Sequence, residues 1–384
     1  MLMNSDELSI LLSEEFRALV AEHAERDPLQ VALDRRIPHA ALVASQLKYR
    51  RRAQRKLPSY VEAGCLFPPR AFEQASSEAA AATKHLAGES LLDLTCGLGV
   101  DTLHFSRSFR RVVALERDPE LATITRENLR RLGANHVEVI CTSAEEYLAR
   151  CEEHFDWVYA DPDRRSAEGR KLVRLEDCSP DVVALRPLIE RVAPRLCLKN
   201  SPLFDVDEAF RYFPEAQVEV ISLRDECKEV IIRVEGSEPK LVAEAVGIGR
   251  VEVPLAERDA TPSSEGFDPE RYRWLIVPDV ALQKARLVCH HLRPVAYVAS
   301  ENGFAFAEEY PEAVLGRVME IAEIVPYKPK ELKKEMKGTK AELWKRDFPL
   351  SLEEIRRQTG LREGADLRLA FTKIDGKNWM IRLK

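Results

Sequence analysis

The stretch "LLDLTCGLGVDT" (residues 91–102) indicates the fold class of the central part of the chain. An apolar run leads to Asp93, two glycines follow at Gly97 and Gly99, and a helical pattern begins near Asp101. Glycine lets the backbone approach a ligand closely, and the amino end of a helix offers free N–H groups. The stretch therefore predicts a strand, a binding loop and a helix in succession.

The same alternation continues on the carboxyl side of this stretch. Short apolar runs alternate with helical segments, and the runs are "RRVVALE", "HVEVICT", "FDWVYA", "RLCLKN", "QVEVISL" and "EVIIRVEG". Strands interleaved with helices of about 10 to 15 residues are typical of a doubly wound parallel sheet. The last two runs are too close together for a helix between them and predict an antiparallel pair. We assign residues 81–236 to this α/β domain.

The flanking segments have different patterns. Residues 1–80 carry helical spacing and predict a small helical domain, with "FEQASSEAAAATKHLAG" as one helix just before the sheet. Residues 237–314 predict a small α+β module of ferredoxin-like type. Residues 315–384 predict a second α+β module that closes with a hairpin around Asp375 and Gly376.

Composition describes an ordinary globular protein. The 384 residues are 45% hydrophobic and 32% charged, with a formal net charge of −6. No apolar run reaches the length of about 18 residues that suggests a membrane span, and the acidic amphipathic start does not resemble a signal peptide. We expect a cytoplasmic protein without a membrane partner. The eight cysteines form no CxxC pair, and "CHH" at 289–291 lacks partner ligands, so no metal is expected.

Glu116, together with the binding loop, indicates a class of cofactor. It ends the second strand-like run, close to where an acid usually receives the hydroxyls of a ribose, so a nucleoside-bearing cofactor is predicted. Thr102 stands at the third position of the dinucleotide pattern G-x-G-x-x-G/A, which weakens the case for NAD. Asp93 at the start of the loop favours a positively charged sulfonium cofactor with an amino-acid tail. A plain strand-to-helix turn is the alternative interpretation of the loop.

The heptapeptide "YADPDRR" (159–165) lies where the fourth predicted strand ends, at the edge where open α/β sheets bind ligands. Asp161 is expected to accept a hydrogen bond from an N–H group of the substrate. The planar guanidinium groups of the two arginines suit phosphate. The predicted catalytic residues are Asp161, Pro162, Arg164 and Arg165. Alternatively, the arginines pair on the surface with Asp163, Glu168 or Asp177.

"LKNSP" follows the next strand, and its Lys199 and Ser201 are candidates for the border of the same crevice. For Ser201 a plain turn initiated by Ser-Pro is an equal explanation. For Lys199 the alternative is a long side chain that covers apolar surface while its charge reaches water.

Taken in order, "DLTCGLGVDT", "ALERDPE", "SAEEYL" and "YADPDRR" resemble the successive motifs of class I S-adenosylmethionine-dependent methyltransferases. More narrowly, "FPPRAFEQASSEAAAATKHLAG", "LKNSPLFD" and "ECKEVII" resemble bacterial methyltransferases that carry a C-terminal THUMP-like domain. The resemblance implies a Rossmann-like sheet at 81–236 and a THUMP-like module at 315–384. It also implies S-adenosylmethionine as the cofactor.

The resemblance further implies a set of cofactor-binding positions. They are Gln74, Ser76, Asp93, Gly97, Gly99, Asp101, Glu116, Ser143, Ala144 and Asp161. Two departures from the family pattern stand out. Ser143 replaces the acid that often contacts the adenine, and "DPDRR" lacks the aromatic residue of the (D/N)-P-P-(Y/F/W) tetrapeptide that would stack on a flipped base.

THUMP-type domains accompany RNA modification, so the expected function is methyl transfer to a base in RNA, either tRNA or rRNA. Two basic runs fit an RNA partner: "KYRRRAQRK" (48–56) and "KPKELKKEMKGTKAELWKR" (328–346). Each run is equally well explained as a solvated helical face. The alternatives for function are a small-molecule or protein methyltransferase, a non-catalytic RNA-binding protein that retains the pocket, and an NAD enzyme.

Overall fold

The computed structural model describes residues 5–163 and 174–384, and the chain divides into two compact units. The first unit consists of Met1–Ala216 and Ile231–Ser237, and the second of Gln217–Val230 and Glu238–Lys384. The predicted α/β class is confirmed. The predicted bounds at 80, 236 and 314 stay predictions.

The first unit combines helices with a parallel sheet. Its strands are β1 (Gly88–Asp93), β2 (Phe109–Glu116), β3 (Val137–Cys141), β4 (Trp157–Ala160) and β5 (Leu196–Asn200). Its helices are α1 (Ser5–Leu12), α2 (Glu14–Glu22), α3 (Pro28–Leu33), α4 (Ala40–Lys56), α5 (Pro58–Glu62), α6 (Pro69–Gln74), α7 (Glu78–Ala81), α8 (Val100–Phe105), α9 (Pro119–Arg131), α10 (Ala144–Arg150), α11 (Arg186–Val192) and α12 (Val206–Tyr212).

The strands of this unit follow the order β3-β2-β1-β4-β5, and every neighbouring pair is parallel. The order reverses beside β1, because β2 and β3 extend to one side of it and β4 and β5 to the other. β4 is buried along its whole length, as expected of a strand covered on both faces. The carboxyl ends of β1 and β4 therefore lie side by side at the switch point, where such sheets bind ligands.

The amino-terminal segment is helical, as the sequence predicts, and it packs on the sheet domain. One hydrophobic core joins Leu57 and Tyr60 to Leu103 of α8 and Leu129 of α9. The single helix expected over "FEQASSEAAAATKHLAG" is wrong. The chain forms α6 and α7 with a break between them, because Ser77 caps α7 by accepting from the backbone N–H of Ala80.

The second unit is also α/β. Its elements are β6 (Gln217–Leu223), β7 (Glu226–Val234, of which Ile231–Val234 belongs to the first unit), β8 (Lys240–Ala245), β9 (Gly249–Pro254), β10 (Trp274–Pro278), α13 (Val280–Ala285), α14 (Val288–Leu292), β11 (Tyr297–Val298), β12 (Ala305–Ala307), β13 (Gly316–Pro326), α15 (Pro329–Met336), β14 (Lys340–Lys345), α16 (Leu352–Thr359), β15 (Arg362–Glu363), β16 (Leu367–Ile374) and β17 (Lys377–Leu383).

The long strand β13 joins the two predicted α+β segments of this unit into one sheet. It pairs antiparallel with β10 on one side and with β17 on the other, in the order β11-β12-β10-β13-β17-β16-β14-β15. The predicted hairpin around Asp375 and Gly376 joins β16 to β17. Among the described residues, no helix is both long and apolar enough to cross a membrane.

Candidate active site

A cavity of about 1150 Å³ lies at the carboxyl ends of the strands in the first unit. Most of the predicted site residues line it: Gln74, Ser76, Gly97, Asp101, Glu116, Ser143, Ala144, Asp161 and Pro162. Asp93 and Gly99 are close by in the chain but are not part of its lining. Arg164 and Arg165 lie outside the residues that the structure describes.

The two glycines of the loop after β1 have different tasks. Both have positive φ, 55° at Gly97 and 82° at Gly99, a region that favours glycine. A Cβ atom on Gly99 would lie 3.0 Å from Cγ2 of Thr125, so Gly99 is needed where the loop packs against α9. A Cβ on Gly97 would meet only the carbonyl oxygen of Thr95, at 3.9 Å. Gly97 therefore leaves open space at the cavity, and its predicted contact with a ligand stays a prediction.

Glu116 lies at the end of β2 and holds this loop in place. Its Oε2 accepts from the backbone N–H of Gly97 at 3.0 Å, and its Oε1 accepts from that of Asp118 at 2.9 Å. Burial raises the pKa of Glu116, and the two N–H donors oppose that shift. Each oxygen has a second lone pair that can accept from a hydroxyl group. The position of Glu116 is compatible with its predicted role as a ligand of the ribose hydroxyls, and that role stays a prediction.

The loop after β3 forms another wall of the cavity. Ser143 is the N-cap of α10, since its Oγ accepts from the backbone N–H of Glu146 at 3.2 Å. Ser143 and Ala144 both line the cavity. Capping uses one lone pair of the Ser143 oxygen and leaves its O–H free to donate, so the predicted contact of Ser143 and the Ala144 backbone with a nucleobase stays a prediction.

Asp93 is buried beneath the loop, with 1% of its surface exposed. Its Oδ2 accepts from the hydroxyl of Thr102 at 2.6 Å, and its Oδ1 accepts from the backbone N–H of Thr95 at 2.9 Å. Burial raises the pKa of Asp93 to about 7, because it outweighs the two hydrogen bonds that favour the charged form. Asp93 thus fixes the shape of the loop from below. Thr102, which departs from the dinucleotide pattern, is its hydrogen-bond donor.

This environment predicts a pH-dependent stability that Asp93→Asn should remove. Between about pH 4 and about pH 7 the folded chain keeps a proton on Asp93 that the unfolded chain has released. The stabilisation from this group is therefore complete below about pH 4 and is lost as the pH rises to about 7. In urea unfolding measured across this pH range, the free energy of unfolding of the wild type should fall as the pH rises. The fall should be smaller for the variant. Falls of equal size would contradict the assignment.

Asp101, in α8, is the centre of a buried polar cluster. It is 9% exposed, and Lys84, which is fully buried, places Nζ 3.0 Å from its Oδ1. Its Oδ2 accepts from the hydroxyls of Ser76 at 2.8 Å and Tyr159 at 3.0 Å. Burial favours the neutral acid, but the charges of Lys84 and Lys199 outweigh burial, so the pKa of Asp101 is lowered. Asp101 is therefore an anion that ties the segments on either side of α7 to α8 and β4, beside the cavity.

Asp161, which lines the cavity, forms an ion pair with Lys199. Lys199 Nζ donates to Asp161 Oδ2 at 2.5 Å and to Ser76 Oγ at 3.0 Å. The backbone N–H of Asp161 donates to Thr95 Oγ1 at 2.6 Å, which links the end of β4 to the loop after β1. The Asp161 side chain is 26% exposed and that of Lys199 is 12% exposed. Lys199 therefore lies directly behind the cavity lining, where its charge is held against the Asp161 carboxylate.

Three partners of the site were not predicted from the sequence: Lys84, Thr95 and Tyr159. Lys84 stands in a run of alanines that reads as an ordinary helix, and its partner Asp101 is 17 positions further along the chain. Tyr159 is in the quoted heptapeptide, but its role depends on the strand pointing it towards α8. Of the three, Thr95 is the one that the sequence could have indicated, because it lies two residues after Asp93, the last residue of β1.

The charge of the cavity lining discriminates between the two cofactor classes left open by the sequence. The described residues that line it include seven acids and two arginines, namely Asp101, Glu116, Asp118, Glu120, Glu145, Asp161 and Asp163 against Arg70 and Arg117. A dinucleotide brings a negatively charged pyrophosphate, whereas a sulfonium cofactor brings a positive charge. The lining favours the sulfonium cofactor.

Two family models match parts of the chain. The model described as THUMP domain-like matches residues 316–384, and the model described as conserved hypothetical protein 95 matches residues 74–175. The first match coincides with the module from β13 to β17. The second covers the loop after β1, Glu116 and Asp161.

The chain is similar to an uncharacterised S-adenosylmethionine-dependent methyltransferase of Mycobacterium tuberculosis, with 26% identity over 85% of this chain and 90% of the relative. It is also similar to the 23S rRNA (uracil-C5)-methyltransferase of Edwardsiella ictaluri, with 34% identity over 26% of this chain and 25% of that protein.

The same fold occurs in the crystal structure of a provisionally assigned methyltransferase of Porphyromonas gingivalis. The TM-score is 0.84 at 23% identity, over 100% of this chain and 99% of that chain. The resemblance predicted from the sequence, to class I S-adenosylmethionine-dependent methyltransferases with a C-terminal THUMP-like domain, is thereby confirmed.

Proposed function

We propose that this protein is an S-adenosylmethionine-dependent methyltransferase that modifies a base in tRNA or rRNA in the cytoplasm. The observation that carries the proposal is one acid-lined cavity whose lining includes Gly97, Glu116 and Asp161, with Lys199 paired to Asp161. The relatives named above as methyltransferases, one of them acting on 23S rRNA, support it. The THUMP-like match supports RNA as the partner.

The residues present fit the cofactor. Gly97 leaves room for the methionine part, Glu116 is placed for the ribose hydroxyls, and the turn at Ser143 and Ala144 is placed for the adenine. S-adenosylmethionine, when bound, supplies an electrophilic methyl group on a positively charged sulfur. The acids of the lining favour that charge electrostatically.

On the acceptor side, Asp161 accepts a hydrogen bond from the attacking group and so raises its nucleophilicity. Lys199 holds one carboxylate oxygen and leaves Oδ1 for the acceptor. Pro162 restricts the backbone directly after Asp161, which limits the directions that the carboxylate can take.

The proposal is tested by following the methyl group. Purified protein is incubated with S-adenosylmethionine labelled in the methyl group and with total bacterial RNA, cellular protein or a small-molecule extract. We expect label in RNA, and nucleoside mass spectrometry then identifies the modified base. Label in protein or in the small-molecule fraction alone would replace RNA with that substrate class. Cofactor binding without transfer to any fraction would favour a non-catalytic RNA-binding protein.

Glu116→Gln should weaken the binding of S-adenosylmethionine roughly tenfold to a hundredfold. Loss of a charge-assisted hydrogen bond costs about 1.5 to 3 kcal/mol, which converts to that range of affinity. Isothermal titration calorimetry measures the effect. Glu120→Gln is the matched control, because Glu120 lines the same cavity and the substitution is identical. Equal affinity of the Glu116 variant and the wild type would remove Glu116 from the cofactor site.

A further inference from the structure

A row of cations lies along one face of α4. Lys48, Arg52 and Lys56 are spaced four residues apart, which places them on the same side of a helix. Two aromatic rings lie beneath them. The guanidinium of Arg52 is 5.4 Å from the ring of Tyr49 and 5.5 Å from that of Phe72, and Lys56 Nζ is 4.7 Å from the ring of Phe72. The cations are therefore held in place by packing. We call these three residues the α4 row.

The carboxyl end of the α4 row points towards the active site. Lys56 Nζ donates to the carbonyl oxygen of Phe72 at 2.6 Å, in the same short segment as Ser76, which accepts from Lys199. Burial lowers the pKa of Lys56, and the nearby charges of Lys199 and Arg52 lower it further, whereas Glu73 opposes the shift. Lys56 is thus within electrostatic reach of the lysine that holds Asp161.

Positive charge exceeds negative charge along this face. Glu73 of α6 accepts two hydrogen bonds from the guanidinium of Arg52, and it is the carboxylate that pairs with the α4 row. One acid against three cations leaves the row with excess positive charge. Crowded cations repel one another, and an anion that docks on them relieves the repulsion.

Arg51 of the same helix is engaged elsewhere. Arg51 donates to the backbone carbonyls of Glu25 and Arg26, so it fastens α4 to the segment before α3. Because substituting Arg51 would disturb that contact, an Arg51 variant is unsuitable for testing nucleic-acid binding. Within the basic run at 48–56, Arg51 therefore has a structural role, whereas the α4 row has two exposed cations, Lys48 and Arg52, and the half-buried Lys56.

We propose that the α4 row is the docking surface for the phosphate backbone of the RNA substrate. This inference rests on the proposed function and adds the direction from which the RNA reaches Asp161. A linear row suits a linear polyanion, in which successive phosphates meet successive cations, better than it suits a single phosphate. Such contacts position the strand, and the base is then chosen in the cavity.

The test measures the affinity of the full chain for a fluorescein-labelled RNA oligonucleotide by anisotropy at several salt concentrations. The Lys48→Ala, Arg52→Ala double variant should weaken binding and reduce the slope of log affinity against log salt by about 1 to 2, since each lost phosphate contact on a single strand removes about 0.7. The control is Arg107→Ala with Arg110→Ala. Both are exposed arginines beside the amino end of β2, away from the cavity, and we expect the wild-type slope.

Glu73→Gln provides a change of the opposite sign. It removes the acid that pairs with Arg52, so binding of the same oligonucleotide should strengthen several-fold at low salt and the slope should steepen. A variant that merely unfolds the region cannot bind RNA more tightly. Weaker binding by Glu73→Gln would therefore contradict the proposal.

The outcomes separate this inference from the proposed function. If the wild type methylates RNA but the double variant keeps its salt slope, the α4 row is not the docking surface and the proposed function stands. An equal reduction of the salt slope in the Arg107 and Arg110 control would also contradict the α4 row as the docking surface. The reduction would then come from the overall charge of the protein. If label enters protein and not RNA, the proposed function fails and the inference fails with it.

Discussion

Asp161→Asn should lower the rate of methyl transfer on the order of 10² to 10³-fold while leaving the affinity for S-adenosylmethionine within a few-fold. The substitution keeps the size of the side chain but removes the charge that accepts the hydrogen bond of the attacking group, and positioned general bases typically contribute factors of this size. The carboxylate also loses its ion pair with Lys199. The measurement is single-turnover transfer at saturating RNA, combined with a calorimetric titration of the cofactor.

Lys199 provides the control for this prediction, because it acts through Asp161. Lys199→Met should lower the single-turnover rate, and Lys199→Arg should restore part of it, since a guanidinium can still donate to Asp161 and Ser76. The cofactor affinity should change little in both. If Asp161→Asn abolishes cofactor binding outright, Asp161 serves the cofactor site and the acceptor role is wrong.

Lys84→Met should destabilise the first unit by about 3 to 5 kcal/mol, because it leaves Asp101 buried without its closest counter-charge. Methionine fills a similar volume, so the loss is electrostatic and not a cavity effect. Hydrogen exchange of peptides from β1 and α8, at increasing urea, reports on this unit separately from the rest of the chain.

The double variant Lys84→Met, Asp101→Asn distinguishes an unpaired charge from general damage. The asparagine can still accept from Ser76 and Tyr159, and no uncompensated charge stays buried. We expect the double variant to be more stable than Lys84→Met alone. If Lys84→Met stays within about 1 kcal/mol of the wild type, the buried pair contributes little and Asp101 is held by its hydroxyl partners.

The sheet of the first unit and the positions of its loops were predictable from the sequence. Parallel strands buried on both faces appear as continuous apolar runs, and "LLDL", "VVALE" and "DWVYA" correspond to β1, β2 and β4. Because the strands are parallel, the loops at their carboxyl ends meet at one edge of the sheet. The sequence therefore predicted that Gly97, Glu116 and Asp161 share one cavity, which the structure shows.

The order of strands and loops in the chain predicts this edge and the acids along it, whereas long-range packing sets the environment of each acid. Asp93 and Asp101 both belong to the quoted loop, yet one carboxylate takes hydrogen bonds under the loop and the other is an ion in a buried cluster. The cationic partners of Asp101 come from distant segments: Lys84 precedes the sheet, and Lys199 lies in its fifth strand. The local spacing of apolar residues indicates which face of a helix or strand is buried. The partner of a buried charge is set by long-range packing, which no local spacing encodes.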